Sequence, residues 1–300
     1  MSATDQEPNP GCGRRVVEIV GLCMLLFLLF SGAREFWQGR ADAFGPSELE
    51  ERDLTLAPGI QVEILSSAGS LRESRFDAFD VSPDGEVLVL IGTRLVALHS
   101  GEEVFTEDVA VQSFAFAQDV LAITNMQNEL GFLAQGRFEL AGPAPMPTCR
   151  LRPTTDHTRL LLLRSDYDSN TGQPALMAMH SGQEPIALTG SNSPLTTAGG
   201  DVLQTYFSEN GSLFRLLTTD LPSLVFMLPE EDVSITGICV AGSTLYFSTE
   251  KAVYVLEEGI AIPLVLGAGG DLRLVEGALY VLDSASGRVL RIMLTHPESS

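Results

Sequence analysis

The sequence has little lysine, cysteine or tryptophan, and it lacks the common catalytic motifs. Lys251 is the sole lysine among 18 basic residues, and the chain has 4 cysteines and 1 tryptophan. The cysteines form no Cys-x-x-Cys pair and have no zinc-finger spacing. Gly-x-Ser-x-Gly, phosphate-loop and His-Glu-x-x-His motifs are missing as well. We therefore predict no catalytic residue, no metal ligand set and no cofactor.

Excess positive charge is also missing, and this argues against one class of partner. The formal net charge is −21. Residues 1–40 contribute nothing to it, because their four acidic and four basic residues cancel: Asp5, Glu7, Glu18 and Glu35 against Arg14, Arg15, Arg34 and Arg40. The remaining chain therefore repels phosphate backbones, and we expect no nucleic-acid partner.

One apolar segment, residues 16–33, follows a short tail of residues 1–15. At about 1.5 Å per residue, a helix of this length spans roughly 27 Å, close to the thickness of a bilayer core. As a signal anchor it would cross the membrane once, with Arg14 and Arg15 holding the N-terminus in the cytoplasm. As a signal peptide it would be cleaved after Ala33, and the protein would be secreted or periplasmic. A buried helix of the soluble domain is the third alternative. Both export routes place the rest of the chain outside the cytoplasm.

Residues 34–55 are predicted to form a linker. Residues 56–300 contain no amphipathic helix of ordinary length and are predicted to form one all-β domain. Six segments there repeat one plan of apolar strands separated by polar turns. They cover residues 79–101, 113–136, 150–182, 196–219, 236–259 and 272–294. Their second strands are predicted to begin near Val87, Val120, Arg159, Val202, Thr244 and Ala278. These spacings fit four-stranded blades.

A four-stranded sheet of this kind cannot bury its two apolar faces alone, whereas radial stacking of six sheets buries every face. The pattern therefore predicts a six-bladed β-propeller. The last segment has three clear strands before the chain ends at Ser300, and the alternating run from Ile60 to Leu65 has no blade of its own. We predict that this run supplies the missing outer strand and closes the ring.

Two segments, SPDGEVLVL at 82–90 and LYVLDSASGRVLRI at 279–292, resemble the repeats of NHL, YWTD and gluconolactonase-like propellers. The Tyr-Trp-Thr-Asp tetrapeptide itself is absent, and Tyr280–Asp283 is the nearest counterpart. The resemblance implies a six-bladed architecture. For a lactonase-type member it also implies a divalent cation held in the central channel by Glu, Asn and Asp side chains of the inner strands.

The inner-strand positions of this chain do not offer that ligand set. The predicted channel candidates are Asp80, Ala115, Arg150, Arg152, Thr197, Gly237 and Arg273. One carboxylate among three arginines is a poor oxygen cage for calcium. Asp80, Arg150, Arg152 and Arg273 are instead our candidate binding residues. The arginines either hold a carboxylate or phosphate ligand, or form salt bridges with neighbours such as Asp80 and Glu276.

Asp166, Asp168 and Asn170 place oxygen side chains at alternate positions of one loop. They fit either a bound cation or a self-bonded hairpin turn, because the glycine and the downstream glutamate of an EF-hand are not at their usual spacing.

The sequence thus indicates a non-enzymatic propeller that binds or scaffolds a protein or small ligand and contacts the membrane through its N-terminal helix. The alternative is a lactonase or other hydrolase of the gluconolactonase type, and a structural subunit of an envelope assembly is a further possibility. Metal analysis of the purified protein, with lactone turnover measured with and without a chelator, separates the two main hypotheses.

Overall fold

The computed structural model describes most of the predicted β domain. The described residues are 54–67, 69–71, 74–105, 109–118, 120–134, 136–146, 149–164, 174–180, 183–189, 195–209, 211–217, 221–230 and 233–294. The predicted membrane segment at 16–33 lies outside them, as does the loop with Asp166, Asp168 and Asn170. Within these ranges, no helix has the length and apolar character needed to cross a bilayer.

The strands belong to six antiparallel sheets in the described part of the chain. The N-terminal strands are β1 (Thr55–Leu56) and β2 (Ile60–Ile64), followed by a 3-10 turn at Gly69–Leu71. Blade 1 contains β3 (Ala78–Val81), β4 (Val87–Ile91) and β5 (Arg94–Ala97). Blade 2 contains β6 (Val111–Ala117), β7 (Val120–Asn125), β8 (Glu129–Ala134) and β9 (Arg137–Pro143). Blade 3 contains β10 (Cys149–Pro153), β11 (Arg159–Arg164), β12 (Leu176–His180) and β13 (Ile186–Thr189).

The second half of the domain continues the same order. Blade 4 contains β14 (Thr197–Gly200), β15 (Gln204–Glu209), β16 (Ser212–Leu217) and β17 (Ser223–Met227). Blade 5 contains β18 (Gly237–Ala241), β19 (Thr244–Ser248), β20 (Ala252–Glu257) and β21 (Ile260–Leu266). Blade 6 contains β22 (Gly270–Val275), β23 (Ala278–Asp283) and β24 (Val289–Leu294).

Burial along the strands explains why the sheets stack. Every residue of β11 and of β23 is buried, because both faces of each sheet are covered by neighbouring blades. The outer strand β9, by contrast, is exposed along most of its length. The apolar runs of the second strands are therefore core, and the more polar outer strands form the rim.

Six hydrophobic clusters lie between the blades, one at each junction, within the residues described. The junction between the last and first blades is built like the others: Leu282 and Val289 of blade 6 pack in one cluster with Phe79 and Val89 of blade 1. Inner strand β22 also contacts inner strand β3 directly. The sheets therefore close into a ring, as radial burial of their apolar faces requires.

The strand predicted to fasten the ring does so. β2 pairs antiparallel with β24, from Ile60 opposite Leu294 to Ile64 opposite Leu290, and becomes the outer strand of blade 6. The sequence did not predict β1, which adds a fifth strand to blade 5 by pairing Thr55 with Leu266 and Leu56 with Val265. The N-terminal strands thus cover the outer edges of two successive blades.

Two local features differ from the predicted plan. Within the described residues the sheet of blade 1 has three strands, beyond which Val96 forms an isolated bridge to Glu103, and Val104 N donates to Leu95 O at 3.0 Å. The second strand of blade 4 begins at Gln204 instead of Val202. The reason is a side-chain turn: the Asp201 carboxylate accepts the amides of Leu203 at 2.8 Å and Gln204 at 3.0 Å, which delays the strand.

Candidate functional site

A cavity of about 380 Å³ opens where the inner strands begin, at one end of the channel. Its charged lining consists of four arginines and three aspartates: Arg75, Arg150, Arg152, Arg273, Asp77, Asp271 and Asp283. Ser113, Thr196 and Thr236 add polar groups to its wall. The cavity therefore has a small cationic excess within a strongly acidic protein.

A largely buried network of two arginines and two aspartates forms the floor of the cavity, with Arg152, Arg273 and the partly exposed Asp271 in its lining and the fully buried Asp80 beneath them. Arg273 Nε donates to Asp80 Oδ1 at 2.5 Å, and its Nη1 donates to Asp271 Oδ1 at 2.6 Å. Arg152 Nη1 donates to the same oxygen of Asp271. The second oxygen of Asp80 accepts the Phe116 amide at 2.7 Å. The charges of the four side chains cancel, so the network joins blades 1, 2, 3 and 6 at the axis without a net charge.

Burial and the neighbouring charges act in opposite directions on these groups. Burial tends to raise the pKa of Asp271, but Arg152 and Arg273 outweigh it and leave that pKa below its ordinary value. Burial lowers the pKa of Arg152, and repulsion from Arg273 and Arg150 lowers it further. The attraction of Asp271 raises this pKa but does not outweigh the other effects. The floor is therefore an ion-pair cluster in which Asp271 is held as a carboxylate.

Arg150 differs from the arginines of the floor. It lines the cavity, is exposed, and follows Cys149 at the start of β10. Its side chain forms no hydrogen bond or ion pair with another residue in the described ranges. Since residues 150 and 152 alternate onto the same face of one strand, Arg150 presents a cation above the paired floor. This guanidinium is available to a ligand.

The structure brings the predicted candidates together and adds a residue that the sequence analysis missed. Asp80, Arg152 and Arg273 meet at the floor, and Arg150 lies at the mouth. Asp271 was missed because the last segment was taken to begin at residue 272, whereas β22 begins at Gly270. The alternation Asp271-Leu272-Arg273 could have revealed it.

Some predicted channel positions lie elsewhere. Ala115, Thr197 and Gly237 do not line the cavity; Ala115 is buried among the side chains between blades 2 and 3. Glu276 forms no ion pair with the channel arginines within the described residues. The salt-bridge partners of Arg152 and Arg273 are Asp271 and Asp80 instead.

The channel does not fit the divalent cation that the lactonase resemblance implies. Both oxygens of Asp80 are occupied by Arg273 and the Phe116 amide, and Asp271 is bound by two guanidinium groups. Two arginines beside the carboxylates would also repel a cation. No group of three or more His, Cys, Asp or Glu residues that could hold a metal is found in the described ranges.

Cys149 and Cys239 are buried free thiols. Burial raises the pKa of each to about 12, so neither forms a thiolate at neutral pH. A nucleophilic thiol needs the opposite shift.

The ring of six sheets and its axial channel define a six-bladed β-propeller. Similar solved structures include a gluconolactonase from Xanthomonas campestris, at 12% identity and a TM-score of 0.60 over 79% of this chain and 90% of that chain. Another is regucalcin, a calcium-binding protein from Agrobacterium tumefaciens, at 13% identity and a TM-score of 0.56 over 73% of this chain and 90% of that chain. A luciferin-regenerating enzyme matches at 12% identity and a TM-score of 0.56, over 78% and 95% of the two chains. At these identities the likeness concerns the fold.

The sequence matches neither a protein-family model nor a curated protein.

Proposed function

We propose that the chain is a non-enzymatic binding module whose channel mouth takes a small ligand through a carboxylate or phosphate group. The observation that carries this proposal is the contrast between the floor and the mouth. The carboxylates of Asp80 and Asp271 form ion pairs with arginines of the floor. The Arg150 guanidinium, by contrast, lines the cavity without a side-chain partner in the described ranges. An arginine of this kind forms charge-assisted, often bidentate hydrogen bonds with planar anions.

The cavity wall indicates what the rest of the ligand would be. Ser113 and Thr236 line the cavity, and the volume of about 380 Å³ suits a molecule of monosaccharide size. The Ser113 hydroxyl accepts the Leu151 amide at 2.9 Å and keeps its own proton to donate, whereas the Thr236 hydroxyl donates to Gly270 O at 3.0 Å and keeps acceptor capacity. A hydroxylated acid, such as a sugar acid, combines an anionic group for Arg150 with hydroxyl groups for the wall. Gluconate and inorganic phosphate are therefore suitable first probes.

Replacement of Arg150 with alanine should weaken gluconate binding roughly tenfold or more, because a hydrogen bond to a charged group contributes about 1.5–3 kcal/mol. Isothermal titration calorimetry on the full chain in detergent measures this change. Arg137→Ala is the matched control, since it removes an exposed arginine from the rim strand β9. Equal affinities of the wild type and R150A would contradict an anion site at the mouth, as would an equal loss in R137A.

The gluconolactonase-type hydrolase is the second candidate, because a gluconolactonase is among the solved structures that share this fold. Lactone hydrolysis would then depend on a divalent cation. Turnover of a gluconolactone, measured with calcium and again after chelation, separates the two functions. A stoichiometric metal in the purified protein together with turnover that the chelator abolishes would replace the binding proposal with the enzymatic one.

We also propose that residues 16–33 deliver the propeller across a membrane and remain as its anchor, with the N-terminus in the cytoplasm. Support comes from the apolar segment and from Arg14 and Arg15 ahead of it. The intact mass of the purified protein should then correspond to the uncleaved chain, and protease added outside spheroplasts should digest the propeller. A mass that begins at Arg34 would contradict the anchor, and full protection of the propeller would contradict export.

A further inference from the structure

The outer strands of blades 2, 3, 4 and 5 share one irregularity. In each, the register to the third strand shifts by one residue, so that one outer-strand residue is bulged. The bulged residues are Ala141, Leu188, Val225 and Leu264. The shared position allows the outer edges of the four blades to be aligned residue by residue.

Backbone hydrogen bonds just after the bulge show which groups point away from the sheet. Ala144 N donates inward to Asn128 O at 2.8 Å, Leu228 N to Gly211 O at 3.2 Å, and Gly267 N to Lys251 O at 2.9 Å. Because backbone groups alternate sides along a strand, the preceding residue in each blade directs its backbone outward. These residues are Pro143, Met227 and Leu266.

Two of these outward positions are protected against strand addition. In blade 2 the position is Pro143, which has no N–H to offer. In blade 5 Leu266 is covered, because β1 pairs with it through Thr55, and Ala57 N donates to Leu264 O at 2.9 Å. The equivalent position of blade 3 lies outside the described residues. Proline and a covering strand are both common protections of sheet edges.

Met227 in blade 4 has neither protection. Its strand, β17, has the sequence SLVFM without charge or proline, and among the described strands it pairs only with β16. Met227 is 63% exposed and Leu224 is 57% exposed. Pro222 precedes the strand and confines the open edge to five residues, roughly 17 Å of extended chain.

An apolar groove of about 740 Å³ lies beside this edge, between blades 4 and 5. Phe226, Tyr254 and Ile260 form its walls, and Ile260 is 66% exposed. The walls are firm, since Phe226 packs on Phe247 at 5.3 Å and Phe247 stacks on Tyr254 at 5.0 Å between ring centroids. The groove can therefore receive apolar side chains of a segment that pairs with β17.

We propose that the outer edge of β17 binds an extended segment of a partner protein as a fifth, antiparallel strand of blade 4. The segment bonds to the backbone of Met227 and Val225, as Thr55 pairs with Leu266 and Ala57 N donates to Leu264 O in blade 5. Its apolar side chains on one face enter the groove.

Charge indicates what kind of segment fits. Glu230 and Glu250 are exposed at the rim of the groove, against one cation, Lys251. The occupant is therefore an apolar strand that also carries basic residues. A second copy of this chain is disfavoured, because each copy has a formal net charge of −21.

Met227→Pro tests the proposal with little risk to the fold, since Pro143 occupies the equivalent position in blade 2. The probe is a fluorescent peptide of about nine residues in which valine alternates with lysine and threonine, as strand periodicity requires. Its affinity for the full chain in detergent should fall at least tenfold in M227P and stay within twofold in Met227→Leu. Hydrogen exchange should slow over residues 221–230 of the wild type when the peptide is bound.

A peptide of the same composition with its valines grouped together controls for simple attraction to an acidic surface, and it should bind M227P and the wild type equally. Three results would overturn the proposal: no saturable binding of the alternating peptide, equal binding of that peptide to M227P, or protection that appears elsewhere in the domain. Self-association of the wild type that M227P abolishes would also overturn it, by assigning the edge to a second copy.

Discussion

A chain that begins at Ser66, and so lacks β1 and β2, should lose roughly 5 kcal/mol of folding free energy or fail to fold. β2 forms five residue pairs with β24, and an antiparallel ladder has on average about one backbone hydrogen bond per pair. Each such bond contributes about 1 kcal/mol net. Small domains have only about 5–15 kcal/mol in total, so this loss is a large fraction of the stability. Urea denaturation followed by circular dichroism measures it.

Two further effects act in the same direction. Leu54, Ile60 and Val62 pack against the cluster between blades 5 and 6, which would lose their contacts. The outer edge of β24 would also be exposed, and an unprotected apolar edge promotes aggregation. Loss of solubility is therefore expected along with the lower denaturation midpoint.

The matched control begins at Leu54 and keeps both strands. Its denaturation midpoint should equal that of the full chain, because it keeps every strand of the six described sheets, the first of which begins at Thr55. If the chain beginning at Ser66 is as stable as this control, β2 does not hold the ring closed.

Asp80→Ala should lower the free energy of unfolding by about 3–5 kcal/mol, the usual cost of removing one partner of a buried ion pair. Asp80 is fully buried, and its two oxygens accept Arg273 Nε at 2.5 Å and the Phe116 amide at 2.7 Å. The substitution leaves a buried guanidinium with Asp271 as its one remaining carboxylate and orphans an amide of the next blade. Chemical denaturation of the variant measures the loss.

Glu102→Ala is the control for charge, since it removes an exposed carboxylate from blade 1 and should change stability by less than about 0.5 kcal/mol. A double variant, Asp80→Leu with Arg273→Met, tests the cause. It should recover part of the loss, because apolar replacement of both partners removes the unpaired charge. A D80A protein with the stability of E102A would show that the axial network does not hold the blades together.

Local features of the sequence were sufficient to locate the blades. The predicted starts of the second strand at Val87 and Arg159 match the structure, as do those at Val120, Thr244 and Ala278. These hairpins depend on short-range chemistry: Ser82 Oγ accepts the amide of Glu86 at 2.9 Å, and Gly85 takes a φ of 84°. Such turns can be predicted from a few adjacent residues.

Features that depend on distant partners were harder to predict. Asp271 acquires its role from Arg152, which is 119 residues away along the chain. β1 is a two-residue strand, too short to show an alternating pattern, and its existence depends on β21. The open edge at Met227 is defined by the position of the bulge in β17 relative to the bulges of the other blades. Long-range pairing and exposure, rather than local propensity, determine these features.

The order of β1 and β2 along the chain has a mechanical consequence. Tension applied through the residues before Leu54 reaches the two pairs of β1 with β21 first, and the five pairs of β2 with β24 only after the turn in which Ile60 N bonds to Ala57 O at 3.1 Å. A pulled chain can therefore peel from blade 5 and lengthen slightly while blade 6 stays intact. Under tension β1 is therefore expected to detach before β2, and the length it releases delays the loading of blade 6.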